Sequence, residues 1–430
     1  MLISMAGRKY MRLIPFLVVS ALLLTGLAAE AKTTLRFVKW PGADYDQATD
    51  PDQFIVDEFN RLHPEVEVIL EPIADYVEKL TVNMAAGMYP DILIATPPLI
   101  AQFMPLGLLE ELTPYAKQSE DLFQKLFPIA TTSAATWDGL YAVPININPN
   151  ALYFNVDEFG AAGLRSPHDL YAEDNWNWDT FLFAAKKLTI DTDGDNQPNK
   201  YGYKGTPRNW QFFVWQNKGT IFSPDGRQFV MDRAAQEAIQ FASDLIHVHR
   251  VWTTAAPYYT TAFAQGLTAM IIRTSDHVKI YRNDSEVNWD TAMIFGRKPG
   301  MPFQEVFNLG GIAICSQSKH KELAWEFIKF VLGYEAQVRY ALSGQIPINK
   351  RAALSPYLLD PAKPPQNMQV FLQAIEMGIP STDKEVPAVV NTTLERELNK
   401  IWNRGEPVQQ VLDAARPVIN ALLAEHYAAQ

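Results

Sequence analysis

The chain has 430 residues, of which 48% are hydrophobic and 20% charged, with a formal net charge of −11 at pH 7. That length and balance predict a globular protein of two domains or slightly more, and they exclude the disordered and low-complexity classes. The acidic balance lacks the basic footprint of nucleic-acid binding and gains nothing at an anionic lipid surface. Cys315 is the only cysteine, so no internal disulfide can form.

The first 31 residues differ from the rest. Arg8, Lys9 and Arg12 precede an apolar run from Leu13 to Leu27, and Ala29-Glu30-Ala31 follows as a small-x-small cleavage site. This pattern predicts a secretory signal peptide over 1–31. The run is short for a membrane span, which needs about 20 apolar residues. Cys315 lies far from the cleavage site, so it is not the lipidated first residue of a mature lipoprotein. The expected product is exported, soluble and unlipidated, which points to the periplasm.

Next come alternating strands and helices. Thr34–Val38 reads as a strand, Asp52–Leu62 as a helix stopped by Pro64, and Val66–Leu70 as a strand. Asp75 and Glu78 have the spacing of a capping box. Val77, Leu80, Thr81 and Met84 then recur at helical spacing, and Gly87 ends that helix. Ile92–Ala95 is a third strand, broken by Thr96-Pro97-Pro98. The alternation predicts βαβ units and a parallel sheet. Ligands of such sheets bind beyond the carboxyl ends of the strands, which places Trp40 at a binding edge.

Tyr141–Asn155 reads YAVPININPNALYFN. Its flanks suit a buried strand, yet Asn146, Asn148 and Asn150 alternate, so a regular strand would direct three amides to one face. Pro149 argues against a central sheet position. Asn177 can cap a helix carrying Phe181, Ala184, Ala185 and Leu188. The loop Asp191–Asn199 places Asp191, Asp193 and Asp195 at the first three ligand positions of a calcium loop. Its sixth position is Asn196 and its twelfth is Gly202, so half the ligand set is missing, and an Asx-rich turn is the competing reading.

Glu237–Val248 reads as a helix, and Thr268–Ile272, Thr291–Phe295 and Gly311–Cys315 as strands. Lys321–Leu332 and Tyr334–Leu342 read as helices separated by Gly333. Two more surround Gly405 and Pro407, the last with a stripe of Val408, Val411, Leu412, Ala415, Val418, Ile419 and Leu422.

No P-loop, GxGxxG after a strand, HExxH or GxSxG occurs. The scattered histidines suit surface positions and Cys315 suits an inert core position. What remains is aromatic and amide: 10 Trp, 17 Tyr and 23 Phe beside the asparagine row. Flat apolar rings and amides that both donate and accept match the C–H faces and hydroxyl rim of a sugar.

Several ordered segments resemble the extracellular solute-binding proteins of ABC importers, the maltose-binding-protein-like family 1. They are Met84–Asp91 with Leu106–Leu112, Tyr141–Leu164, Trp178–Gly202, Phe263–Met270 and Gly310–Pro347. Each is weak alone; the ordered set covers nearly the whole chain after residue 31.

The resemblance implies an α/β fold of two lobes, type II-like, each a β-sheet flanked by helices, with a ligand cleft between them. Residues 32–147 and 296–348 would form the N-terminal lobe, and 148–295 and 349–430 the C-terminal lobe. The chain would cross near Asn146–Ala151, Thr291–Arg297 and Pro347–Ala352. Asn148 matches a family position facing ligand, with Asn146 and Asn150 beside it on a regular strand. Thr96 matches a cleft loop, Asn209, Trp210 and Gln211 a cleft segment, and Arg273, Ser275 and Asp276 follow the Ala-Met strand.

Many relatives have a Gly-x-Trp after that strand and this chain does not, which leaves stacking to Trp40, Trp210 or Trp215. The implied function is non-enzymatic delivery of a sugar or oligosaccharide to an ABC permease by a monomer without cofactor. An anionic sugar or glycerol-phosphate-like ligand bound by Arg273, and an exported carbohydrate-active enzyme, are the alternatives.

Overall fold

The computed structural model describes residues 32–41, 46–132, 139–205, 210–255, 257–307, 309–360, 362–380 and 386–428. The expected signal peptide over 1–31 lies outside them, as does Asn209.

Strand β1 (Thr33–Lys39) buries Leu35, Phe37 and Val38. The helix Pro51–Leu62 returns the chain to β2 (Val66–Pro72), which pairs parallel to β1 from Thr33↔Val66 onward. Asp50 starts this helix by accepting the amides of Asp52 and Gln53 at 2.8 and 3.2 Å, with Pro51 at the first helical position, where a missing N–H costs nothing. Ile55, Val56 and Phe59 form its buried face. Strand β3 (Ile92–Ala95) joins β1 on its other side, parallel as the sequence predicts.

The expected capping box before β3 does not form. Asp75 takes φ 53° and its side chain caps no amide, because its carboxylate lies 3.6 Å from Lys79 instead.

Strand β4 (Asn146–Ile147) is followed by β5 (Asn150–Asn155), β6 (Met270–Thr274), β7 (Trp289–Ala292), β8 (Val306–Phe307) and β9 (Gly311–Ile314). β9 runs antiparallel to β3 and completes the first sheet in the order β2-β1-β3-β9. The second sheet is β6-β5-β7 and wholly antiparallel. The short strands β10 (Ile346–Pro347) and β11 (Ile379–Pro380) pair with β4 and β8 at the junction of the two sheets.

The second core is aromatic. Asn177 caps the helix Trp178–Lys187 in a capping box closed by Thr180, and Trp178 stacks on Phe241 with centroids 4.1 Å apart. The last helices, Ala388–Arg404 and Val408–Ala428, turn at Gly405, whose φ of 68° suits glycine. Their predicted stripe is buried except at Val418, which is 45% exposed, and at Leu422, where Leu423 takes the core position four residues after Ile419.

Two crossings differ from expectation. Gly296 bridges to Asn177 and Phe303 packs on Phe212 of the second lobe, so the chain changes lobe after Phe303 rather than at 291–297. Asn349 donates to Leu332 O, and Lys350 N donates to Lys125 O, so 349–353 stays with the first lobe. Aromatic and backbone partners hold these segments past the points where their alignment alone placed the switch. Among the described residues no helix is long and apolar enough to cross a membrane.

Candidate functional site

A cavity of about 560 Å³ opens at the carboxyl ends of β1 and β3, where ligands of such sheets bind. Lys39 and Trp40 follow β1 into its wall, and Thr96 and Pro97 follow β3. Asn146 and Asn148 enter from the first crossing, Gln345 from the segment before β10, and Asp276 and Lys279 from the second lobe. Gly310 and Gly311 floor it. A Cβ on Gly310 would lie 2.0 Å from Ala95 O, and one on Gly311 2.0 Å from Val143 O, so only glycine lets β9 approach both segments.

The wall beneath β1 is a charged network. Lys39 Nζ lies 2.9 Å from Asp50 and also pairs closely with Asp52, which accepts a hydrogen bond from the Tyr340 hydroxyl. Burial opposes the Lys39 charge, but Asp52 and Asp50 outweigh it and hold the ammonium above the usual lysine range. Burial, and then the nearby Asp52 charge, push Tyr340 well above the usual tyrosine value.

Asp276 is held differently. Burial works against its ionisation, yet hydrogen bonds from His277 Nδ1 at 2.9 Å and Thr274 Oγ1 at 2.5 Å prevail and lower its pKa. Arg273 donates to His277 Nε2, at 3.0 Å from Nε and 2.6 Å from Nη2, so the ring carries its proton on Nδ1 and donates toward Asp276.

The predicted residues divide between cavity and interior. Trp40 is 45% exposed and lies edge-on to Tyr76 with centroids 5.9 Å apart, leaving ring surface toward the cavity. Thr96 lines the cavity, and Asn146 lines it while donating to Gln345 Oε1 at 2.7 Å. Asn148 is exposed there and accepts from Ser275 Oγ at 3.3 Å. Asn150 does not join the row. Its backbone N and Nδ2 donate to the buried carboxyl group of Glu305 at 2.7 and 2.5 Å. The strand breaks at Asn148 and Pro149, so the alternation that would have aligned three amides is lost.

Ser275 is fully buried and supports Asn148 rather than lining the cavity. Arg273 is engaged by His277 and lies 4.6 Å over the Tyr259 ring, so it does not line the cavity either. Trp210 is only 3% exposed and belongs to the second core, because the helix Trp210–Gln216 turns it inward with Phe213 and Val214. Gln211 does not line the cavity.

Asp191, Asp193 and Asp195 bring carboxylate oxygens within 4.8 Å of one another, all exposed. Three oxygens at that spacing match part of a calcium shell, which takes six to eight. Asp191 already accepts the amides of Gly194 and Asn196 at 2.7 and 2.9 Å, the bonding of an Asx-rich turn. Gly202, at the twelfth position, brings no carboxylate.

The family model described as "Bacterial extracellular solute-binding protein" matches residues 55–365. The chain belongs to that family. This solute-binding protein is 24% identical over 358 residues to a putative binding protein of Brucella abortus (strain 2308), across 79% of this chain and 82% of the other. It is 31% identical to a maltotriose-binding protein of Pyrococcus abyssi, over 103 residues that are 24% of this chain and 22% of that one.

Its fold is similar to the sugar-binding protein MalE of Xanthomonas citri, with TM-score 0.79 and 17% identity over 92% of this chain and 99% of that one. An ABC substrate-binding protein of Listeria monocytogenes in complex with cycloalternan gives TM-score 0.73 and 21% identity, over 91% and 99%. The two-lobed α/β architecture read from the sequence is that of these neighbours.

Sequence reasoning missed the Lys39–Asp50–Asp52–Tyr340 network, Lys279 and Gln345. Lys39 was within reach, since it ends β1 beside Trp40. Tyr340 was not, because 288 positions separate it from Asp52, its hydrogen-bond partner.

Proposed function

We propose that this solute-binding protein captures a sugar or oligosaccharide between its lobes and hands it to the membrane permease of an ABC transporter, acting as a periplasmic monomer without a resident cofactor. The observation that carries the reading is the half-exposed Trp40 ring facing the same cavity as the Asn146 and Asn148 amides. A ring stacks on a sugar's C–H face while amides meet its hydroxyls. The cavity volume of about 560 Å³ falls within the usual 300–1,000 Å³ for small-ligand sites. The maltotriose named for the Pyrococcus relative and the cycloalternan of the Listeria complex belong to the same chemical class.

A non-catalytic role fits the carboxylates. Glycoside hydrolysis needs one protonated acid facing the substrate. Glu305, whose burial outweighs its Asn150 hydrogen bonds and pushes it up to about 8, does not line the cavity. Asp50 and Asp52 are tied to Lys39.

Asn148→Leu should weaken saccharide binding by about one to two decades, since a buried hydroxyl that loses its partner costs about 1–3 kcal/mol. Ile147→Val should leave affinity nearly unchanged, because Ile147 is 1% exposed on the opposite face and pairs with Ile346. Calorimetric titration of both variants with one saccharide decides the matter; equal affinities would remove Asn148 from the site.

Closure gives a second expected result. Wall residues come from both lobes, so ligand favours the conformation that brings them together. Small-angle scattering at saturation should show a smaller radius of gyration than without ligand, and an unchanged value would count against a hinge.

A further inference from the structure

The ligand cavity continues into a second compartment of about 390 Å³, sharing with it Thr49, Asp50, Pro51, Lys279, Ser343 and Gly344. Both lobes build this end. Lys279 and Arg282 stand three residues apart on the helix His277–Asp284, hence on one face, and Arg339 comes from the helix Tyr334–Leu342 of the first lobe. The lobes already approach here, since a Cβ on Gly344 would lie 3.7 Å from Lys279 Cβ.

Three cations thus meet in one compartment of a chain whose net charge is −11. Three acids near them are paired with other cations, and of these Asp360 and Glu58 also act on Arg282 and Arg339 from beyond ion-pair distance. Asp50 is bonded to Lys39 at 2.9 Å, Asp360 pairs with Lys363 at 3.1 Å, and Glu58 pairs with Arg61 at 2.6 Å. Among the described residues none of the three cations makes a salt bridge. Arg339 lies over the Phe54 ring at 3.4 Å, and Arg282 Nε donates to Pro364 O at 2.6 Å. Arg282 Nη2 is buried with no hydrogen-bond partner. A buried guanidinium N–H without an acceptor is costly.

We propose that this compartment is a subsite for an anionic group (carboxylate, sulfate or phosphate) at one end of the saccharide, contacted by Lys279, Arg282 and Arg339. The proposal rests on the saccharide reading above and narrows it to an acidic sugar long enough to span both compartments. It also moves anion recognition from Arg273, which is held by His277 and Tyr259, to the far end of the cleft.

Matched ligands test it. Calorimetric titration of the full-length protein should find maltobionate bound about tenfold or more tighter than maltose at low salt, as one added charge-assisted contact implies. The preference should shrink as ionic strength rises. Arg339→Gln should reduce the ratio of the two affinities and Arg339→Lys should retain part of it, with denaturation midpoints of each variant showing that it folds. Arg282→Gln gives an independent reading of the same ratio.

Maltose bound as tightly as maltobionate would overturn the subsite while leaving the saccharide reading intact. Glycerol 3-phosphate bound in place of either disaccharide would sink the saccharide reading and support the anion site. Binding of none of the three would overturn both.

Discussion

Trp210→Ala should cost about 3–5 kcal/mol of stability, the usual range for removing a buried tryptophan. The ring is 3% exposed within the core that also holds Phe213, Trp252 and Phe295. Truncation leaves a void that the surrounding aromatic side chains cannot fill without abandoning their own contacts. The loss should appear as a lower denaturation midpoint with an unchanged slope. Trp210→Phe should lose less, because it keeps most of the apolar volume. Saccharide affinity of the folded protein should change little, since Trp210 does not line the cavity. Intact stability with lost affinity would return the ring to the cleft.

That prediction reverses what the sequence suggested, and the reason bears on what a sequence can say. Arg208–Trp215 was legible as an aromatic, amide-rich segment at a position that relatives use in their clefts. Which face of the helix turns inward is decided by the packing of Phe213, Val214 and their neighbours, which alignment with a family does not fix. Trp40 was legible for a firmer reason, because the end of a parallel strand is a place the chain's topology alone determines. The same topology places Thr96 at the end of β3.

The asparagine row shows the limit in another form. Alternation predicts one shared face only while the strand stays regular, and Pro149 interrupts it. Asn148 and Asn150 therefore separate, one to the cavity and one to a carboxyl group 155 residues away. Glu305 gave no sign in the sequence, since nothing local marks a glutamate whose partner is so distant. The helices Lys321–Leu332 and Tyr334–Leu342 were readable to the residue because periodicity and Gly333 are local signals.

Glu305 yields the second large effect. It sits where three hinge segments meet: Asn150 donates to it from the first crossing, its own residue leads into β8, and Ile379 N donates to its backbone oxygen at 2.9 Å. Burial dominates its ionisation and the two Asn150 hydrogen bonds only partly offset it, so the carboxyl titrates at about 8 instead of 4.5. The folded state therefore keeps a proton that the unfolded chain releases.

Its stabilising contribution is full below pH 4.5 and is lost as pH rises toward 8. Over that window the folded protein should lose on the order of 3–5 kcal/mol through this group. Glu305→Gln removes the titration but keeps the shape, and an Asn150 amide turned by 180° can accept from the new amide while Asn150 N still finds an oxygen. Denaturation midpoints measured from pH 5 to pH 8 should fall for the natural protein and stay flatter for Glu305→Gln, so that the variant gains relative stability at the alkaline end. Parallel curves for the two proteins would mean that the folded state holds Glu305 ionised, with the Asn150 donors sufficient to stabilise the buried charge.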